Sequence, residues 1–242
     1  MVKKLLFFII WLLIIIFISI VYLNKYGLET NKFNSLINEQ VKKYDNKLEL
    51  DVKKVKIYLK LEVLLNPEIK IQTDNAILKS GNHEIKIASI STHINLLSYL
   101  KGNFTLDNIK IVTLNNKIED LISIAAKHGK PQLIILNSFI QQGYFQAVLK
   151  INFDENGNVK KDFILNGKVV NAKVKLLNKN VFENVNLEFE KKQNYNLSNA
   201  RFSYKNIKFL SDLIIIDSSK NKISIQGDIS NEKASIDKKI IT

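Results

Sequence analysis

Few side chains in this chain of 242 residues are of the types that carry out catalysis or bind metals. There is no cysteine, which excludes disulfides, zinc–thiolate sites, iron–sulfur clusters and a cysteine nucleophile. The histidines are His83, His93 and His128. His83 and His93 are separated by a predicted turn and strand, which is not the spacing of a metal-binding pair. We expect His128, at the end of a predicted helix, to have a surface or capping role.

The acidic residues also lack the spacing of a catalytic or cation-binding site. Glu119 and Asp120 are adjacent on a predicted helix, so their side chains point apart and make a poor acid–base pair. Residues 154–158 contain calcium-type ligands without the spacing or final glutamate of an EF-hand, and Asn156-Gly157 predicts a β-hairpin instead. The sequence contains no dinucleotide-binding, Walker, serine-hydrolase elbow or H-E-x-x-H motif. We therefore expect no enzymatic activity, no metal and no cofactor.

The chain is strongly basic, with 36 basic against 23 acidic residues and a net charge of +13. Every basic residue except Arg201 is a lysine, so among the basic residues only Arg201 has the forked guanidinium suited to a bidentate contact with a base. The lysines are spread along the predicted strands, mostly on the polar phase, as on a solvated outer face. Weak attraction to anionic lipid head groups is the alternative, and we predict no nucleic-acid partner.

An uncharged apolar segment covers residues 5–23, where Ser19 is the only clearly polar residue. At about 1.5 Å per residue, this helix crosses a hydrocarbon core of about 30 Å. A cleaved signal peptide has a shorter apolar region and a small-residue cleavage site, which residues 24–28 lack. We therefore predict a retained single-pass anchor. Its representative residues are Leu5, Trp11, Phe17 and Leu23.

The charges around the anchor predict its orientation. Lys3 and Lys4 precede it, and only Lys25 follows it closely. Since positive charge favours the cytoplasmic side, residues 1–4 are predicted to be a cytoplasmic stub. The rest of the chain is then predicted to lie on the other side of the membrane, which in a bacterium is the periplasm.

The segment after the anchor, residues 24–46, is predicted to contain a membrane-proximal helix. Residues 30–44 place apolar side chains on one face at helical spacing. We expect this helix to pack on the following domain rather than lie on lipid. The face consists of Phe33, Leu36, Ile37, Val41 and Tyr44.

Beyond Lys47 the apolar residues recur at every second position, which predicts β-strands with one apolar face. The alternation changes phase between Val52 and Val55, so Lys53-Lys54 is predicted to form a bulge. Similar segments recur to residue 229, separated by turn signals. We predict one mainly β domain over residues 47–242, a long curved antiparallel sheet. Short helices are expected at residues 95–100 and 115–129.

The order of anchor, short helix and long alternating strands resembles the N-terminal region of the AsmA-like proteins of Gram-negative envelopes. These belong to the repeating-β-groove, or bridge-like lipid transfer, class. Residues 55–63 followed by Asn66-Pro67 are similar to the family's opening strand and turn. The other segments that carry the resemblance are the strand at 85–94 with the Leu-Leu helix and glycine at 95–102, the strand at 104–111, and the later region 143–167.

The resemblance implies an open β-groove whose apolar concave face shields acyl chains moving between the inner and outer membranes. Phospholipid, the inner membrane and other envelope proteins are the implied partners. An ordinary closed core is the alternative for the same apolar residues. The candidate groove residues are Val55, Ile57, Leu59, Leu61, Val63, Ile69, Ile71, Ile85, Ile87, Ile109 and Ile111.

Three functions follow from these patterns. The leading hypothesis is an anchored protein for phospholipid transfer and outer-membrane maintenance. The second is an envelope assembly or docking factor with a closed β core. An anchored hydrolase is disfavoured because no nucleophile–base–acid set is apparent. About ten strands spaced at ~4.8 Å make a sheet of ~50 Å, which is short for a bridge. The chain is therefore either the front part of a longer protein or a short member that needs partners.

Overall fold

The computed structural model describes residues 2–32, 34–60, 67–95, 106–128, 139–154, 158–160, 162–175, 180–191, 194–219 and 222–231. Within these ranges it has three helices, α1 (Val2–Lys25), α2 (Asn34–Tyr44) and α3 (Ile118–His128). The strands are β1 (Leu28–Thr30), β2 (Glu49–Asp51), β3 (Val55–Lys60), β4 (Glu68–Ser80), β5 (His83–Asn95), β6 (Leu106–Thr113), β7 (Asn116–Lys117), β8 (Ile140–Asn152), β9 (Ile164–Lys175), β10 (Val181–Lys191), β11 (Tyr195–Tyr204), β12 (Ile207–Ser219), β13 (Lys222–Gly227) and β14 (Ser230–Asn231).

The strands form one antiparallel sheet, in the order β1-β3-β4-β5-β6-β8-β9-β10-β11-β12-β13. Three short strands pair off this path: β2 with β4, β7 with β8, and β14 with β12. Most strands therefore lie beside their neighbours in sequence, as in a meander. The sheet is curved and unclosed. The predicted fold class, mainly β with a long apolar N-terminal helix, is confirmed.

The N-terminal helix α1 begins earlier and ends later than the apolar segment alone predicts. Its stretch Leu6–Lys25 has a mean hydropathy of 3.1, and none of it is buried in the protein. Trp11 and Phe17 are 52% and 67% exposed, and Leu5 and Leu23 lie on the same helix. The helix is long and apolar enough to cross a bilayer as a single-pass anchor.

In the first half of the sheet, the alternation of side chains between the two faces changes phase at the same level in neighbouring strands. In β4 the buried residues step from Thr73 to Ala76, across Asn75, whose φ is +55°. In β5 the apolar residues step from Ile87 to Ile90 at the same level. The predicted bulge at residues 53–54 lies at this level, where strand structure is interrupted between β2 and β3. Because these strands shift together, the register between β4 and β5 stays constant.

The second half of the sheet repeats this feature. Asn171 in β9, Asn184 in β10 and Asn199 in β11 have φ values of +52°, +52° and +51°. Register shifts between β9 and β10, and between β10 and β11, lie beside these residues. Asparagine tolerates the left-handed region better than other residues with a side chain, which explains its place within otherwise regular strands.

Helices α2 and α3 cover the apolar face on one side of the level at which the phase changes. Ile118, Ile122 and Ile124 of α3 are buried in the same core cluster as Ile85 and Ile87 of β5. Residues Ile37 and Val41 of α2 pack against this cluster. The apolar face therefore has a closed part under the helices. On the other side of the phase change, it has a part that neither helix covers completely. The remaining buried members of the core are Leu48, Leu50, Val52, Val55, Ala76, Phe145, Ala147 and Ala172.

Candidate functional site

The predicted groove residues lie on the apolar face of the sheet, but in different surroundings. Ile85 and Ile87 are each 5% exposed and belong to the closed core with α3, rather than to an open groove. Val55 is 1% exposed, at the boundary between the two parts. Leu61 and Val63 lie outside the described residues. The half-buried members are Ile57, Leu59, Ile69, Ile71, Ile109 and Ile111.

The half-buried residues face one another across neighbouring strands. Ile57 is opposite Ile71, and Leu59 is opposite Ile69. Cross-strand partners share a face of the sheet, so these side chains form one continuous surface.

This surface extends through later strands that contain none of the predicted groove residues. Ile111 is opposite Leu149, which is opposite Leu165, and Phe189 is opposite Leu197. We call the whole set the apolar row. It crosses ten strands, from β3 to β13, over roughly 45 Å at the usual strand spacing. Its members are Ile57, Leu59, Ile69, Ile71, Ile90, Ile109, Ile111, Leu149, Ile151, Leu165, Phe189, Leu197, Ile214, Ile216 and Ile225.

A glycine in β9 maintains the row where β9 meets β10. A Cβ atom on Gly167 would lie 2.2 Å from the Gln146 carbonyl oxygen and 2.7 Å from Cζ of Phe189. No larger residue fits without a backbone shift. The ring of Phe189 lies against Gly167 and supplies apolar surface at the position that has no side chain.

An apolar cavity of about 340 Å³ lies between α2 and the first strands of the apolar row. Its exposed wall is apolar. The hydroxyl of Thr92 donates to the Asn108 carbonyl at 2.7 Å, and Thr73 Oγ1 is buried without a hydrogen-bond partner among the described residues. The volume is at the lower end of the range for small-molecule sites, about 300–1,000 Å³. An apolar cavity does not hold water well, so its chemistry suits hydrocarbon. It is lined by Ile37, Leu50, Val55, Ile57, Ile71, Thr73, Ile90, Ser91, Thr92 and Ile109.

The first strand of the apolar row is joined to the end of α1. After α1, Gly27 turns the chain with a φ of +69°, and β1 then pairs with residues 55–57 of β3. The ring of Tyr58 packs on Gly27, where a Cβ would lie 2.9 Å from its carbons. Lys60 Nζ donates to the Asn24 carbonyl at the end of α1, at 3.3 Å. The apolar row therefore begins where the anchor helix ends.

The opposite face of the sheet is polar and charged. His93 and Glu68 are hydrogen-bonded there at 3.0 Å, and Lys56 lies 3.6 Å from Asp74. Lys56 has a pKa above its ordinary value because of its electrostatic interaction with Tyr58 and then with Asp74. Nearby, a hydrogen bond from Lys54 lowers the pKa of Glu29. This face therefore suits solvent and head groups rather than acyl chains.

A serine–histidine–aspartate set, in which Ser80 and His128 are buried and Asp45 is partly exposed, ties α3 to the sheet. The Nε2 of His128 lies 2.8 Å from Ser80 Oγ, and its Nδ1 is hydrogen-bonded to Asp45. The side chain of His128 is only 7% exposed, so it is not at the surface as its position in the sequence suggested. This is the order of groups in a serine hydrolase, but Ser80 is 1% exposed. With Ser80 closed to solvent, the set fastens the end of α3 to β4 and to the turn after α2.

The polar residues His83 and Asp154, considered above as parts of metal sites, make local hydrogen bonds instead. His83 is hydrogen-bonded to Asp120 in the first turn of α3, at 2.8 Å. Asp154 Oδ1 accepts from the Asn158 backbone at 2.8 Å, and Phe153 pairs with Val159, as in a hairpin. Over the ranges that the structure describes, no three His, Asp or Glu side chains are grouped to hold a metal.

No protein family, curated protein or solved structure matches this chain. We therefore infer its function from the geometry of the chain itself.

Proposed function

We propose that this chain is a membrane-anchored protein that holds lipid acyl chains along its apolar row and contributes to phospholipid transfer and outer-membrane maintenance. The observation that carries the proposal is the continuity of the row across ten strands, beginning beside the anchor helix. A lipid tail costs about 0.8 kcal/mol for each CH₂ exposed to water. Such a surface offsets that cost along a path that leads away from the membrane.

The resemblance to AsmA-like proteins supports the same proposal. An anchored antiparallel meander with one apolar and one polar face is the architecture that this resemblance implies. The lysines before α1 favour an N-terminus in the cytoplasm. We therefore place the protein in a bacterial inner membrane, with the sheet in the periplasm.

The proposal is one of binding rather than catalysis. Ser80 Oγ lies in a hydrogen-bonded set but is too buried for an ester carbonyl to reach. Hydrolysis of a generic ester by the purified protein, abolished in Ser80→Ala, would contradict this part of the proposal.

A docking or assembly factor is the second candidate, favoured by the closed core under α3. Ile85, Ile87 and Ile122 are each at most 7% exposed, so this part of the apolar face is already covered by protein. A docking factor would be folded and free of lipid.

Native mass spectrometry with lipid extraction on the detergent-purified full-length protein separates the two candidates. We expect stoichiometric phospholipid on the wild type. Ile57→Asp, which puts a charge on the apolar row, should remove most of it. Ile71→Trp should also reduce bound lipid, because it fills the cavity without adding charge.

The matched control is Ile164→Asp. Ile164 is a half-buried isoleucine among charged residues of the opposite face, so this change should leave bound lipid unaltered. A wild type that is folded but free of lipid would refute the carrier function. Equal losses in Ile57→Asp and Ile164→Asp would indicate unfolding rather than a lipid surface.

A further inference from the structure

We propose that the end of α1 and the polar side of β3 form a head-group site for anionic phospholipid of the anchoring membrane. This inference rests on the proposed function and names the class of lipid that first reaches the apolar row. The head-group site consists of Lys25, Tyr26, Tyr58, Lys60 and Lys70.

The site combines tyrosines and ammonium groups where the chain leaves the bilayer. Tyr58 packs on Gly27, and the Nζ atoms of Lys60 and Lys70 lie 5.6 and 5.7 Å from the centre of its ring. Lys25 is placed similarly, 5.4 Å from the centre of the Tyr26 ring. Tyrosine is enriched at membrane interfaces, and lysine there attracts anionic lipid. These residues therefore lie at the depth of the head groups.

Among the residues that the structure describes, the ammonium groups of the site have no acidic partner, whereas those of two neighbouring lysines do. Lys54 and Lys56 form ion pairs with Glu29, at 2.8 and 3.5 Å. Lys60 and Lys70 make no ion pair with any acidic residue that the structure describes. A phosphate group would supply the negative charge that the protein does not.

The site and the apolar row share strand β3. Along this strand, Ile57 and Leu59 belong to the row, whereas Tyr58 and Lys60 point to the opposite side. Strand β1 pairs with β3 at residues 55–57, and the end of α1 contacts Tyr58 and Lys60 on the polar side of the same strand. A lipid whose tail rests on Ile57 and Leu59 would then have its phosphate near the end of α1, where the lysines lie.

The test uses the full-length protein in nanodiscs of one part phosphatidylglycerol to four parts phosphatidylcholine. After transfer to detergent, the lipids that stay bound are quantified by mass spectrometry. We expect phosphatidylglycerol to be enriched several-fold on the wild type. The double variant Lys60→Gln/Lys70→Gln should return to the nanodisc ratio without losing total lipid.

The matched control is Lys150→Gln/Lys168→Gln, which removes the same charge from the same face at β8 and β9. It should keep the enrichment. Enrichment unchanged in the Lys60/Lys70 variant would overturn the head-group site but leave the carrier function intact. Loss of all lipid in Ile57→Asp alone would then still support the apolar row.

A second measurement tests the site even if no tail stays bound. The melting temperature of the wild type should be higher in discs with phosphatidylglycerol than in pure phosphatidylcholine, and the Lys60/Lys70 variant should lose this shift. No shift in the wild type would refute the site. An equal shift from inorganic phosphate with pure phosphatidylcholine discs would refute its assignment to membrane lipid.

Discussion

At the residue scale, an asparagine with positive φ marks the phase change in β4, β9, β10 and β11. Asn171, Asn184 and Asn199 lie within strands of regular alternation, yet each adopts the left-handed conformation. On both sides of the phase change, the apolar residues lie on the same face of the sheet, so this face remains continuously apolar. The sequence predicted such a change only at Lys53-Lys54 and not in β9, β10 or β11, because asparagine is frequent throughout this chain and marks turns elsewhere.

Substitution of Asn184 tests this role. Its φ is +52°, so Asn184→Val should lower the free energy of unfolding by about 1–2 kcal/mol or more, and Asn184→Gly should be neutral or stabilising. Asn166→Val is the control, because Asn166 lies in the same sheet without a positive φ and valine suits strands. Denaturant unfolding followed by circular dichroism measures all three. Equal stability of the valine and glycine variants at position 184 would contradict the assignment.

The carboxylate of Asp45 makes stability dependent on pH. The Lys47 backbone N–H, followed by His128, holds the pKa of Asp45 below its ordinary value. A carboxylate with a lowered folded pKa stabilises the protein above its unfolded pKa, and the contribution disappears as the pH falls through the folded pKa. We expect Asp45→Asn to lower the melting temperature at neutral pH, and the difference from wild type to shrink below about pH 4. A difference that stays constant down to pH 2.5 would show that the charge of Asp45 is not involved.

At the element scale, α3 decides which part of the apolar face is closed. Hydrogen bonds hold α3 at both ends, from His83 to Asp120 and from His128 to Ser80 and Asp45. The sequence predicted the helix within three residues at its start, but not what it covers. Ile85 and Ile57 have the same alternating pattern, and only the packing of α3 separates the core from the row. The serine–histidine–aspartate set was also missed, because its members are far apart in sequence and come from β4, α3 and the turn after α2.

Two alanine substitutions on α3 test how much its packing on the sheet contributes to stability. Ile122 is 7% exposed in the core, so Ile122→Ala should cost about 2–5 kcal/mol of stability. Leu121, its neighbour on the same helix, is 40% exposed, and Leu121→Ala should change stability by less than about 0.5 kcal/mol. Urea midpoints of the two variants give the comparison. Similar midpoints would mean that α3 does not seal this part of the face.

At the scale of the whole molecule, the proposed function assigns the two faces of the sheet to the two parts of a lipid. The apolar row extends from β3 to β13 and would hold the tails, and the opposite face presents lysines and carboxylates to water. The period-two pattern predicted both faces, and the apolar segment predicted α1. The sequence could not predict that the chain joins α1 to the first strand of the row through Gly27, since this depends on the contact between Tyr58 and a residue 31 positions earlier.

The proposed orientation can be tested with single cysteines, because the chain contains none of its own. Lys4 is exposed before the membrane-spanning stretch, and Asn82 is exposed in the turn between β4 and β5. In bacterial cells with a permeabilised outer membrane, an impermeant maleimide should label Asn82→Cys and should label Lys4→Cys only after the inner membrane is lysed. The small turn position should tolerate cysteine, since its side chain lies in solvent. The reverse labelling pattern would place the sheet in the cytoplasm, where it could not receive lipid on the way to an outer membrane.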